Sequence, residues 1–281
     1  MPFFPAMVSA GAMFFLPMVG QNALFGIAGG GQAMRLEAEY EAITPVPWMG
    51  RHKTASGSLI IDFTPNSYRV AFSSRAEGFV DWFVDASTSM VTNGALTSFG
   101  LFPMHYDSTV KDGSKQRRVI VDFTGREVLV SVSPKFGNWG YPAPTVAQKL
   151  EAVDPLTAIA SMTMRTRATT SNPCGGPLRV FDGKQRYDIR LRYAARLTWN
   201  SDVYKGPALK CEAEYVEVAG FDAESAQKKA DDRDDIEWAN FILAELDGGA
   251  LTPPIKAEVR SKRSGKYTFE ATKLKYGRAG R

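Results

Sequence analysis

Beyond residue 34, apolar and polar side chains alternate in short runs at 58–63, 68–73, 118–123 and 127–132, all rich in β-branched and aromatic residues. A period of two predicts half-buried antiparallel strands. Thr64-Pro65-Asn66-Ser67, Lys111-Asp112-Gly113-Ser114 and Thr124-Gly125-Arg126 join such runs at hairpin spacing, each built from residues that form tight turns. The cleanest hairpin runs from 178–181 through Asp182-Gly183 into 184–193, where Tyr187, Ile189, Leu191 and Tyr193 alternate with Arg186, Asp188, Arg190 and Arg192. One of its faces should be core and the other wet.

Two stretches break the alternation. Asp154 offers an N-cap and Pro155 suits the first helical position, after which Leu156, Ile159, Ala160, Met162 and Thr163 recur at helical spacing. The pattern predicts a helix of about ten residues that plugs the concave face of the sheet. Residues 221–235, rich in Ala, Lys and Asp without an apolar stripe, predict a solvated helix or loop. Residues 236–246 fit helix and strand equally. After Pro253-Pro254, Ile255, Ala257 and Val259 oppose Lys256, Glu258 and Arg260, and a turn at Ser264-Gly265 leads into 266–274 as a terminal hairpin. The stretch 134–144, with Gly137, Gly140 and Pro142, reads as a long loop. Its Phe136, Trp139 and Tyr141 form either a lip for a ligand or partner or, on the preferred reading, aromatics packed over a barrel end.

Charge separates the N-terminus from the rest. The chain has 281 residues with 34 Lys+Arg, 30 Asp+Glu and 44% apolar residues, and no charged side chain precedes Arg35. This composition excludes an intrinsically disordered chain. Residues 1–33 combine apolar stretches at 3–20 and 23–28 with a small-residue end, Gly29-Gly30-Gly31-Gln32-Ala33. The segment is expected to be a signal peptide cut after Ala33, although no Lys or Arg precedes its apolar region. An uncleaved membrane anchor is the alternative, and Pro5, Pro17 and Gln21-Asn22 disfavour it. Residues 34–281 are expected to form a single β-rich domain with no integral membrane span after processing. A net charge of +4 with both signs interspersed gives no basic arm, so nucleic acid is not an expected partner.

Cys174 and Cys211 are the chain's two cysteines, an even count in a sequence that reads as exported, and they predict one disulfide. Two buried free thiols are the alternative. Closing a loop of that length is worth about 3–4 kcal/mol in the loop-entropy model. With no C-x-x-C and with His52 and His105 as the chain's histidines, a four-ligand zinc site is poorly supported, and neither metal nor cofactor is expected.

Tyr40; Gly100-Leu101-Phe102-Pro103 followed by Tyr106; Asp154-Pro155-Leu156-Thr157-Ala158; Cys174; the run from Val180 through Phe181-Asp182-Gly183-Lys184-Gln185-Arg186 to Tyr187; and Cys211 followed by Tyr215 and Ala219-Gly220-Phe221 occur in a telling order. Their order and spacing resemble a bacterial family of envelope proteins, domain of unknown function 3108. The resemblance implies a periplasmic location and a mainly β fold, an antiparallel, strongly curved sheet or partly open β-barrel with a short plugging helix. It also implies a binding or scaffold role without established chemistry. The stretch 44–52, with Pro45, Pro47 and Trp48, departs from the shorter turn the family implies.

Catalytic constellations are weakly supported. No G-x-S-x-G elbow occurs, since Ser56-Gly57-Ser58 lacks the flanking glycine, and Gly29-Gly30-Gly31 is not followed by the Lys-Ser/Thr of a phosphate loop. The carboxylates Asp231, Asp232, Asp234 and Asp235 surround Arg233 and follow Lys228-Lys229, which reads as a solvated surface. His105 has no partner near in sequence and is expected to pack structurally. Arg186, Arg190 and Arg192 share one strand face and suit an anionic head group such as that of a phospholipid or lipopolysaccharide. The preferred reading pairs them, as a polar outer face, with Glu212 and Glu214 on the strand that Cys211 begins.

The leading expectation is a non-enzymatic envelope protein that binds an apolar ligand, a lipid or lipoprotein, in the curved sheet, or docks another envelope protein. Its competitors are a hydrolase with residues scattered in sequence and a structural module that contacts a partner through a patch or sheet edge. A cavity within the sheet discriminates between them.

Overall fold

The computed structural model describes residues 33–46, 50–77, 85–166, 168–221, 236–261 and 265–278. Residues 1–32 of the expected signal peptide, the stretch 222–235 with its carboxylate run, Pro47 and Trp48, and Ser264 of the last turn lie outside the described residues.

β1 (Met34–Val46), β2 (Gly50–Phe63), β3 (Ser67–Ala76), β4 (Ala86–Thr97), β5 (Gly100–Asp112), β6 (Lys115–Phe123) and β7 (Val128–Ser133) form a first meander, in which β2, β3, β6 and β7 carry the alternating runs that predict strands and β4 and β5 are strands that the alternation does not mark. After two helices, α1 (Val146–Leu150) and α2 (Pro155–Thr163), comes a second: β8 (Pro177–Phe181), β9 (Arg186–Asn200), β10 (Lys205–Ala219), β11 (Ile236–Ala244), β12 (Pro254–Ser261) and β13 (Gly265–Arg278). The ambiguous stretch after residue 235 is thus a strand, and Cys211 lies inside β10 rather than at its start. The first strand pairs with the last, so both meanders join in one sheet of order β7-β6-β5-β4-β3-β2-β1-β13-β12-β11-β10-β9-β8.

The sheet curls until its two ends touch without pairing. Gly183, in the β8–β9 turn, packs on β6 so closely that a Cβ there would lie 2.4 Å from Val119 Cγ1. Its φ of 100° is a second reason for glycine. The β8 edge is covered by its own approach segment: Val153 donates to the Arg179 carbonyl at 2.9 Å and accepts from Phe181 N at 2.9 Å. An edge so occupied cannot template another chain. The result is a strongly curved, mainly β, partly open barrel.

Helix α2 plugs the barrel as its apolar spacing predicts. Asp154 Oδ1 accepts from Leu156 N and Thr157 N, each at 3.0 Å, which satisfies two of the first-turn donors. Leu156, Ala160 and Met164 then pack into a cluster with Leu36, Ile61, Phe63, Tyr68 and Val70. The opposite flank, Ala158 and Met162, joins a second cluster around Leu178, Leu209 and Leu243. The Cys174–Cys211 disulfide sits in that second cluster, its Cα atoms 5.9 Å apart, and fastens the segment before β8 to β10.

Candidate functional site: an apolar chamber beside the plugging helix

Side-chain size tapers along the inner face of the barrel. Toward one end β2 carries Phe63, Ile61 and Leu59, and β3 carries Tyr68 and Val70, all but sealed from solvent. Toward the other end the same strands turn to Gly57, Ala55 and Ser74, and β1 turns to Ala42. Since α2 fills only the large-residue half, the small-residue half is hollow. A chamber of about 390 Å³ opens there, between Pro155, Ala158, Ile159 and Met162 of α2 and the walls of β1–β3, β8, β9, β11, β12 and β13. Phe72, Leu178, Val180, Ile189 and Phe241 give the walls their apolar character, and Phe269, 47% exposed, stands at the rim.

Few polar atoms face this space, and most are already engaged. Tyr40 Oη donates to the Pro254 carbonyl at 2.8 Å. Ser56 Oγ donates to Glu77 at 2.5 Å. Lys256 Nζ lies 3.2 Å from Glu258 and 3.7 Å from Glu270, and 5.6 Å from the Trp199 ring. Burial pushes the phenols of Tyr40 and Tyr187 well above their ordinary range, so both remain protonated donors. No charge is left uncompensated by described groups to orient an ion in the chamber.

Across the same wall the outer face is also concave but polar, a groove of about 520 Å³ that includes Glu41, Lys53, Ser58, Ser73, Arg75 and Glu77. Lys53, then Ser56, hold the Glu77 carboxyl down at about 2 against the burial that would raise it, with Arg75 assisting. The wall is thin here because Ser56, Gly57, Ser58, Ser73 and Ser74 present almost no side chain on either face.

Deeper in the barrel a polar chain supports the helix. Asp154 is fully buried, and its Oδ2 accepts from Thr157 Oγ1 at 2.5 Å and from Thr92 Oγ1 at 2.9 Å. Tyr68 Oη meets Thr157 Oγ1 at 2.6 Å. Because the Thr157 proton is given to Asp154, Tyr68 is the donor in that contact. Burial raises the Asp154 carboxyl above its usual range, opposed by these hydrogen bonds, of which Thr157 contributes most.

The residues singled out by sequence do not converge on the chamber. Phe136 and Trp139 stack edge to face at 5.1 Å, with the Arg117 guanidinium 4.7 Å from the Phe136 centroid. Trp139 is 44% and Tyr141 79% exposed, so these two do not pack over a barrel end. Their loop is fixed instead by backbone: Tyr141 N donates to the Phe221 carbonyl and Gly220 N to that of Pro142, both at 2.8 Å. Arg190 and Arg192 do oppose Glu214 and Glu212, at 3.7 and 3.4 Å. Arg186 departs from the expected solvated face: it is 2% exposed, donates to the Gln148 and Tyr187 carbonyls, and pairs with Asp188 and Glu151. The strand's first residue keeps the face opposite the chamber-lining Tyr187 but is buried there, because α1 and the residue after it supply Gln148 and Glu151 as acceptors that a guanidinium fork can satisfy. His105 does not pack in the core either; its Nδ1 lies 2.6 Å from Asp122 Oδ1 with both side chains substantially exposed.

Sequence named several chamber residues, among them Tyr40, Ile159, Met162, Tyr187 and Ala257, as parts of strands, the helix or the family pattern, but did not assemble them into a site. The signal was the size gradient along β2 and β3, which becomes meaningful once the concave face and the position of α2 are known. Among the described residues no cluster of three or more His, Cys, Asp or Glu could hold a metal, and no helix is long and apolar enough to cross a membrane.

No curated protein matches the chain. Among solved structures it is similar to a β-barrel-like protein of domain of unknown function DUF1849 from Brucella abortus, at 11% identity and a TM-score of 0.46, covering 87% of this chain and 97% of that one. The family model described as a protein of unknown function (DUF3108) matches residues 48–238. That match spans more than half of the sequence, including α2, the disulfide and most of the chamber wall, and the chain belongs to the DUF3108 family.

Proposed function

We propose that this protein is a non-enzymatic, periplasmic binder of an apolar, chain-like ligand and that it supports envelope integrity in that role. The chamber carries the reading: about 390 Å³ of space walled by aliphatic and aromatic side chains beside an engaged polar core. That volume falls within the range of about 300–1,000 Å³ for ligand sites. Each methylene seated there gains about 0.8 kcal/mol. The uncharged apolar segment 1–33 and the disulfide suit export to an oxidising compartment.

A hydrolase would need His105 or His52 in a cleft with a nucleophile, and the chamber lining includes neither. Docking of an envelope protein is kept as a second reading because Trp139 and Tyr141 stand exposed on one loop.

Titration with the neutral dye phenylnaphthylamine tests the leading reading. Wild type should enhance its fluorescence saturably. Ala257→Phe, placed in register between Phe241 and Phe269, should fill the space and abolish the enhancement. An enhancement that Ala257→Phe leaves unchanged would place the dye elsewhere and refute the reading.

A further inference from the structure

Tyr187 differs from the other polar residues of the chamber. Tyr40, Ser56 and Lys256 have partners at hydrogen-bonding or ion-pairing distance, and Ser74 borders the outer groove as well, where solvent serves it. Tyr187 lines the chamber and its ring lies against Tyr215 at 4.9 Å, but its hydroxyl has no hydrogen-bond partner among the described residues. That hydroxyl is not sealed from solvent, so a phenol on an otherwise apolar wall that no described group engages is free to donate to an acceptor on a ligand.

Charge narrows which acceptor fits. Lys256, the cation on the chamber wall, is shared between Glu258 and Glu270, so a carboxylate brought inside would meet a site already neutralised. A buried carboxylate without a counter-charge is strongly disfavoured, whereas a carbonyl or hydroxyl oxygen needs only one donor. The chamber's volume, at the small end for ligand sites, suits one chain rather than two.

We propose that the chamber takes a single acyl chain bearing a neutral oxygen, as in an acyl ester or a long-chain alcohol, and that Tyr187 Oη donates to that oxygen. This specifies the ligand of the binding reading above and rests on it.

The test uses the full chain and three probes of one length, dodecane, methyl laurate and laurate, each displacing phenylnaphthylamine. Wild type should bind methyl laurate at least about tenfold more tightly than laurate, for the desolvation reason above. Tyr187→Phe should weaken methyl laurate about 3- to 10-fold, the value of one hydrogen bond, and leave dodecane unchanged. Equal affinity of wild type and Tyr187→Phe for methyl laurate overturns the proposal, as does laurate binding as tightly as its ester. Failure of dodecane to displace the dye from wild type overturns the binding reading itself, so the two failures are separable.

Discussion

Thr92 and Asp154, 62 residues apart in the chain, are joined by a 2.9 Å hydrogen bond from Thr92 Oγ1 to Asp154 Oδ2. One carboxylate thereby caps α2 with its first oxygen and ties the helix to the sheet with its second. The chamber depends on this joint, since its inner wall is the flank of α2 that Asp154 positions.

Replacing that carboxylate should loosen both attachments. Asp154→Ala removes a cap and takes the acceptor from the Thr157 hydroxyl, while Thr92 keeps the His105 carbonyl at 3.0 Å, and we expect a loss of about 2–4 kcal/mol. Asp154→Asn caps comparably and should lose less. Urea unfolding measures both; equal stability of wild type and Asp154→Ala would show that the network does not hold the helix.

Acid should weaken the wall through Glu77. Its folded value, about 2, lies below the ordinary 4.5, so its contribution is present above about 4.5 and is lost as the pH falls toward about 2. Asp154 acts with the opposite sign: burial raises its folded value, so protonating it favours the folded state as the pH falls. Glu77→Gln should therefore be less stable than wild type at neutral pH and converge with it in acid. A difference that stays constant across that window contradicts the assignment.

The disulfide closes a loop between residues 37 apart. Reduction, or Cys174→Ser, should cost about 3–4 kcal/mol and lower Tm by roughly 10 °C. Because the bond lies in the cluster of Met162 and Leu178, which also line the chamber, reduction should weaken dye binding as well. An unchanged Tm on reduction excludes a stabilising role.

Gly220 is where three segments meet. Its φ is +82°, and a Cβ there would lie 2.1 Å from the Lys184 carbonyl oxygen, while a Cβ on Gly140 would lie 2.2 Å from Gly220 itself. Gly220→Ala should destabilise by about 2–4 kcal/mol. Gly137→Ala, in the loop that carries Gly140 but in open space, should stay within about 0.5 kcal/mol of wild type. Equal effects of the two substitutions would show that the backbone at Gly220 can move aside.

Local patterns were legible where one interaction range decides them. The Asp182-Gly183 hairpin and the Asp154-Pro155 helix start are each fixed by residues within a few positions, and both form as the sequence predicts. The pairing of Arg186 was misread because strand alternation leaves its face open to solvent, whereas the segment 148–151, distant in sequence, covers it and adds Gln148 and Glu151 to its local acceptors Tyr187 and Asp188. The long strands β4 and β5 stayed hidden behind Ser-Thr-rich and Pro-containing stretches with little apolar contrast. The chamber was out of reach for a related reason: Ala55, Gly57 and Ser74 are unremarkable singly and make a cavity only where no helix side chain comes to meet them.

The most direct measurement is native mass spectrometry of the protein purified under gentle conditions, followed by lipid extraction. We expect a fraction of molecules to carry one apolar, acyl-containing compound, released by organic solvent and missing from Ala257→Phe. A clean apo mass that also fails to retain added methyl laurate would contradict ligand binding and leave partner docking as the function to pursue.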